Sequence, residues 1–388
     1  MTRDLRWTGS FLAFVGLLVC LFFPHRAAAQ QFSAWSAPVN LNALTLSDGT
    51  PCPAVVNSAS DDNHPTISKD GLSLIFQSNR PGGSGGVDLW VTERDSLDDC
   101  WLPPFNLGPI VNSAFNDATP SLTTDGHWLY FQSNRPTWLT ADGIAVPSCG
   151  GGDLYVSHRH DKRNDSSWEA PVNLGCTINT PGFDQAGPLH FEDDATGIHF
   201  LYFTSRPIGA SDVLFDIYVS TCTADLAICN TPDTWGPGVP VGTPTRDKPT
   251  DGLNSLSRDT RTAIRRRDGL EMILSTGRPD SLASENLWVS TRATTQDQNW
   301  SDPVPINCEW QQNVTAILNL TLPPLPCPSW APVDPPGTTV FVNSPAFDGA
   351  PALSWDGLTL YFFSERTDLP GFKGGRDLYV SKRTKLPD

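Results

Sequence analysis

Three observations predict that this 388-residue chain is all-β and built from five copies of one four-stranded unit. First, tryptophan-led segments recur as WSAPVNL at Trp35, WLPPFNLG at Trp101, WEAPVNLG at Trp168, WGPGVPVG at Trp235 and WSDPVPIN at Trp300, 65 to 67 residues apart. A fixed period of that length marks a repeat architecture. Second, each period carries short alternating runs rich in β-branched and aromatic residues, such as LSLIFQS and DLWVT, and most carry an Asp-Gly turn between two of them. Such runs read as strands joined by tight hairpins. Third, helical periodicity is missing beyond the N-terminal segment, and 35 prolines oppose helices. Four-stranded units repeated about an axis close into a β-propeller.

In the first unit strand A begins at Pro65, strand B spans 72–77, strand C 88–92 and strand D 103–107. The chain starts on a D-type strand at 37–41 and ends on a C-type strand at 377–381. The N-terminal strand is therefore expected to complete the fifth blade, which removes two unpaired strand edges at once. Blade three departs from the pattern by replacing Asp-Gly with EDDATGIH, and blade four has Ala263 for Pro and Asn286 for Asp. Before blade five an insertion, about 308–342, contains a second WAPV at Trp330. The expected domain covers 30–388 as one five-bladed unit, probed for function most usefully where the repeat breaks.

The first 29 residues read as a secretory signal peptide: Arg3 and Arg6, an apolar run at 11–23, then Ala27-Ala28-Ala29. Cleavage there removes three arginines and one aspartate, taking the net charge from −16 to −18. An acidic surface of this kind excludes nucleic acid and anionic membranes, which need clustered Lys and Arg. No second long apolar run follows, so the expectation is an exported monomer, secreted or periplasmic, without a membrane span. Eight cysteines remain, an even count that suggests disulfides in an exported chain. Cys222 with Cys229, Cys308 with Cys327 and Cys149 with Cys176 are the expected pairs, leaving Cys52 with Cys100.

In order, D-x-x-P, DG-x-x-x-Y/F, S-x-RPGG and DLYVS over residues 35–383 resemble the WD-like repeats of the TolB-like β-propellers. The resemblance implies the propeller fold. It leaves function open, since such repeats serve exported binding proteins and enzymes alike.

Antiparallel hairpins pair residues whose numbers add to a constant. Around Asp70-Gly71 that constant sets Asp62 opposite Arg80 to within one residue, and the other blades give Asp117 with Arg135, Asp184 with Arg206, Asp259 with Arg278 and Asp348 with Arg366. These repeated pairs read as bridges that fasten the loop entering strand A to the loop between B and C. Asn57, Asn112, Asn179, Asn254 and Asn343, each five residues before its aspartate, read as turn-stabilising groups. The strand-C aspartates Asp88, Asp153, Asp216 and Asp377 are possible competitors for the same arginines. If the ring of carboxylates instead opened to the channel mouth, it would suit Ca²⁺ or acid/base chemistry, with Asp62, Asp117 and Asp184 as catalytic candidates. No other cofactor is expected.

Loops on the Asp–Arg face have grown, at 42–56, 137–152, 243–253 and 308–342. Loops on a rigid scaffold commonly carry binding residues. Trp138, Trp310 and Trp330 fall in or beside them and would stack on sugar faces, with Glu309 accepting hydroxyls. There is no GxSxG, HExxH or Walker loop. His158 with His160, and His190 with His199, lack a third ligand in sequence and read as solvent-exposed. Five-bladed propellers resembling arabinanases and fructosidases break their symmetry at the catalytic carboxylates, whereas the acids here are the repeated ones. The sequence therefore favours recognition of a polysaccharide or cell-envelope component over a glycoside hydrolase, with a protein-interaction scaffold third.

Overall fold

The computed structural model describes residues 32–140, 142–181, 187–206, 215–242, 252–279, 281–296, 298–307 and 340–387. Within them lie five four-stranded antiparallel sheets. Blade one is Asp62–Ile67, Ser73–Ser78, Asp88–Glu93 and Phe105–Asn106. Blade two is Asp117–Leu122, Trp128–Ser133, Asp153–His158 and Val172–Asn173. Blade three is Leu189–Asp193, Ile198–Ser205, Asp216–Cys222 and Val239–Pro240. Blade four is Asp259–Ile264, Glu271–Thr276, Asn286–Thr291 and Val304–Pro305. Blade five takes Asp348–Leu353, Thr359–Ser364 and Asp377–Lys382, and its fourth strand is Val39–Asn40.

Val39 pairs with Val380 and Asn40 with Tyr379, so the N-terminal strand closes the ring. Phe32 extends the latch by stacking 4.0 Å from the Arg383 guanidinium. The apolar core is split into five clusters, each shared by two neighbouring blades, and one of them joins blade five (Phe363, Leu378) to blade one (Leu74, Phe76). No blade buries its own faces; each needs both neighbours.

Strand A begins earlier than expected, at the aspartate, because a bulge follows it. Asp62 pairs with Ser78 and Asn63 with Gln77, then the register slips so that Thr66 pairs with Ile75. Blades two, four and five slip at the same place. The strand partner of each aspartate is therefore Ser78, Ser133, Thr276 or Ser364, and the arginine two residues further on folds back to reach it. The A–B turn is also longer than a two-residue hairpin: Gly71, at φ 75°, donates its N–H to Ser68, and Ser68 faces Ser73 across the turn.

The asparagines hold neighbouring blades together. Asn112 accepts the Leu89 N–H at 2.8 Å and donates to the Leu89 carbonyl at 3.0 Å, acting as a one-residue strand against blade one. Asn57 does the same to Leu378, Asn179 to Leu154, Asn254 to Ile217 and Asn343 to Leu287. In three blades a strand-D asparagine supports it: Asn106 accepts from Asn112 and donates to Asp88, with Asn173 and Asn40 in the same role. That is the work of the Asn in the recurring FNL and VNL.

On the opposite face a second set of arginines repeats. Arg94, Arg159, Arg292 and Arg383 each lie over the tryptophan of strand D, Trp101, Trp168, Trp300 and Trp35, at 4.3 to 4.5 Å. Each donates Nε to a glycine carbonyl in its own A–B turn. Blade three has Cys222 at this position, and a disulfide to Cys229 replaces the clamp. Disulfides also join Cys52 to Cys100 and Cys149 to Cys176. Cys308 and Cys327 lie outside the described residues. No helix among the described residues is long and apolar enough to cross a membrane.

Asn112→Ala leaves a buried N–H and a buried carbonyl of Leu89 without partners, at about 1–3 kcal/mol for each group. Urea unfolding should show a lower midpoint with unchanged slope; an unchanged midpoint would remove the asparagine from the inter-blade account.

Candidate functional site

The four described acids, Asp62, Asp117, Asp259 and Asp348, lie where strand A begins, so their state decides what that face can do. Asp62 accepts from Arg80 Nη2 at 2.5 Å, from Ser58 N–H at 2.6 Å and from Ser58 Oγ at 2.8 Å. Asp117 is held alike by Arg135 at 2.6 Å and by Ser113. Asp259 lies 3.4 Å from Arg278 and Asp348 3.2 Å from Arg366, again with the serine after the asparagine donating twice. All four carboxylates are fully buried. The same arginines donate to carbonyls of the entering loop, among them Val56, Val111 and Leu253. Arg206 is described, while Asp184 lies outside the described residues. In sequence Asp184 stands four residues before its proline, Pro188, whereas Asp62, Asp117 and Asp348 stand three before theirs.

Both oxygens of each carboxylate are engaged by donors, and none of the four lines the axial cavity. The structure places Asp62 and Asp117, named above as catalytic candidates, in the loop-fastening bridges, and the four described acids do not form an open ring that would suit Ca²⁺. The strand-C aspartates Asp88, Asp153 and Asp377 take backbone amides and strand-D asparagines in place of the arginines. Asp153 accepts from the Cys149 and Gly150 amides at 2.6 and 2.9 Å, and Asp377 from the Lys373 amide at 2.9 Å. Asp88 closes the RPGG loop likewise, and a Cβ at Gly83 would sit 1.9 Å from its Oδ2, which is why glycine stands there. Burial pushes the Asp216 and Asp377 carboxyls up to about 6.

What does face the axis is the bulge. His64, Thr119, Arg261 and Ala350, each two residues after its aspartate, have φ between 42° and 52°, and Gly187 has φ 67°. Left-handed backbone is uncommon for residues with a side chain and costs of order 1–3 kcal/mol each. The neighbouring blade supports three of them: the Thr119 N–H donates to Gln77, Arg261 to Thr204 and Ala350 to Ser275. All five line an axial cavity of about 40 Å³. That is room for about three waters or one small polar group, and far too little for a sugar ring.

The cavity wall is polar and incompletely paired. Among the described residues, Arg261 Nε and Nη1, His64 Nε2, Thr119 Oγ1 and Ser121 Oγ are buried with no hydrogen-bond partner. Arg261 Nη1 stands 3.9 Å from Glu285 Oε2, beyond hydrogen-bond range. Burial pushes the Arg261 and Arg266 guanidinium groups down to about 10, so both stay charged at neutral pH. His64 gives Nδ1 to Asn63 Oδ1 at 2.8 Å. Burial first, then Arg261, Arg376 and Arg258, hold its imidazole well below the ordinary range.

Glu285 was not singled out in the sequence, because it breaks the repeat only once. It is almost fully buried, lies 2.9 Å from Arg258 Nε, and accepts from Thr260 Oγ1 at 2.9 Å. Arg376 is paired with Glu365 at 3.0 Å. Arg261 and Arg266 line the axial cavity and no carboxylate among the described residues does, a local positive charge in a chain of net charge −16.

The predicted aromatic platform is not assembled within the described residues. Trp138 sits in a small hairpin, Thr137–Leu139 with Ala145–Pro147, and packs half-buried against the core between blades one and two. Trp310, Trp330 and Glu309 lie outside the described residues. The expectation of exposed histidines fails for His190 and His199, which are buried with Nε2 and Nδ1 3.2 Å apart. They face each other across the A–B strands of blade three, where both sides pack on neighbouring blades.

No family model and no curated protein matches the chain. Among solved structures it is similar to an alpha-L-arabinofuranosidase from Lactobacillus brevis, at 15% identity, covering 85% of this chain and 91% of that one with a TM-score of 0.48. It is also similar to the alpha-L-arabinofuranosidase of Podospora anserina in complex with cellotriose, at 11% identity, 92% and 97% coverage and a TM-score of 0.47. The GH62 alpha-L-arabinofuranosidase domain of Coprinopsis cinerea gives the same identity, coverage and score. At these values the likeness is one of fold, and the five-bladed description rests on the strand pairing itself.

His64 and His190 are held neutral, so the unfolded chain takes up protons below its ordinary imidazole pKa that the fold refuses. Acidification from pH 7.5 to 5.5 therefore costs about 1 kcal/mol of stability per imidazole. Asp216 and Asp377 act oppositely, since between about 4 and 6 the fold binds protons there that the unfolded chain releases. Urea titrations at the two pH values should show a smaller loss on acidification in His64→Gln than in the wild type; equal losses would contradict the neutral assignment.

Proposed function

We propose that the protein is an exported binding propeller of the TolB-like kind that recognises a polysaccharide or cell-envelope component through its loop-bearing face. An acidic group of the ligand is read at the axial mouth. The observation that carries this is the buried Arg261 guanidinium, with Nε and Nη1 unpaired among the described residues, beside the likewise unpaired His64 Nε2 and Thr119 Oγ1 in strained backbone. Buried polar groups are ordinarily satisfied, and unpaired ones held by left-handed residues on an axis are what a preformed polar site looks like. The cavity admits one carboxylate-sized group, while the body of the ligand rests on the rim. Export is supported by the N-terminal segment and by the disulfides.

A second reading, a glycoside hydrolase, is favoured by one observation: Glu285 is a buried carboxylate between blades four and five, 3.9 Å from Arg261 Nη1 of the axial cavity. It would replace Asp62 and Asp117 as the acid on which such chemistry is built.

The test is a panel of neutral and uronate-bearing polysaccharides, assayed for binding and for release of reducing ends. The expected result is binding to uronate-bearing polymers without turnover, weakened about 10- to 100-fold in Arg261→Met, the loss of a charge-assisted hydrogen bond. Turnover abolished by Glu285→Gln would move the assignment to the hydrolase. Equal binding by Arg261→Met and wild type would overturn the axial reading.

A further inference from the structure

The face opposite the axial mouth carries a cluster that the sequence hides. His158 ends strand C of blade two and His160 follows it, while Glu169 opens the path to strand D nine residues later. Folding brings Glu169 Oε1 to 3.4 Å from His158 Nδ1 and to 3.2 Å from His160 Nε2, and the three ligand atoms lie within 4.8 Å of one another. A tetrahedral ion with bonds of about 2.0–2.1 Å to nitrogen and oxygen sets its ligand atoms about 3.3 Å apart. Two of the three separations already have that value.

The backbone under these ligands is fixed. The Glu169 N–H donates to the His158 carbonyl at 2.8 Å. Arg159, between the two histidines, is fully buried: it donates to the Gly126 carbonyl, pairs with Asp165 and lies 4.3 Å over Trp168, the residue before Glu169. Asp165 is held in turn by Ser73 of blade one at 2.7 Å. The clamp that every other unbroken blade uses to close this face therefore also sets the ligand spacing. His158 rests 4.4 Å from the Trp128 ring, and the two imidazoles meet edge to face. The His160 side chain is open to solvent, Glu169 half so and His158 partly, so closing on an ion needs little more than rotation of exposed side chains.

We propose that His158, His160 and Glu169 bind one borderline divalent transition ion of the Zn²⁺ class, with the fourth position open to water or to a donor from outside the chain. Two imidazoles and one carboxylate select Zn²⁺ over Ca²⁺ or Mg²⁺, which require oxygen-rich shells. The ion joins strand C to the start of strand D and so adds stability to the outer edge of blade two. The inference is independent of the ligand read at the axial mouth.

Full-length mature protein, free of any purification tag and stripped with EDTA, is titrated with ZnCl₂ by calorimetry, with thermal melts in parallel. The expected result is one equivalent bound and a raised Tm, with Ca²⁺ giving neither. His160→Ala and Glu169→Gln alter exposed side chains and should leave the metal-free Tm unchanged while weakening Zn²⁺ at least about tenfold. Absence of Zn²⁺ binding, or equal affinity in wild type and both variants, would overturn the site.

Discussion

Blades one, two, four and five each depend on a loop that spends its polar groups on its neighbours. In N-S-x-x-x-D the asparagine pairs with the backbone of strand C in the preceding blade, the serine donates twice to the aspartate, and the aspartate anchors an arginine that returns to the same loop. The need behind it is simple. The entering loop crosses from the outer edge of one blade to the inner edge of the next, where water is excluded, so its N–H and carbonyl groups require protein partners. Arg80 and its counterparts are charged partners for those carbonyls, and the carboxylate neutralises the charge thus buried. Such an arrangement contributes specificity of register more than net stability.

The second repeated arginine answers the same need on the other face. Arg94, Arg159, Arg292 and Arg383 cap glycine carbonyls of the A–B turns and cover the tryptophans of strand D. Blade three lacks this arginine and has a disulfide there, a covalent substitute for a stacking contact. With both faces fastened by repetition, the axis is where the blades differ: His64, Thr119, Gly187, Arg261 and Ala350 occupy one structural position with five side-chain chemistries.

The period, the four strands and the N-terminal closure were legible because tryptophan spacing and strand alternation are local signals repeated five times. The neighbours Asp62 and Arg80 were legible too, although for a partly mistaken reason. Index counting assumes an uninterrupted ladder, and the bulge at His64 and Pro65 shifts the true strand partner to Ser78. A bulge leaves no composition signal of its own beyond the proline after it. The axial site stayed hidden because His64, Thr119 and Arg261 are each single departures within a repeat, and their meeting depends on ring closure. Glu169 was missed as a neighbour of His158 and His160 since the eight-residue connection that aligns them is shaped by Arg159, whose clamp was not read. Net charge was silent on the axis, where Arg261 and Arg266 line the cavity of an acidic chain.

The central claim is that the recurring acids fasten loops and the irregular axis recognises. A double-mutant cycle on Asp117→Asn and Arg135→Gln, read by urea unfolding alongside polysaccharide binding by the folded variants, tests it most directly. The account predicts a coupling energy of about 1–3 kcal/mol in stability with affinity unchanged. Additive effects on stability together with lost binding would place Asp117 in the ligand site and contradict it.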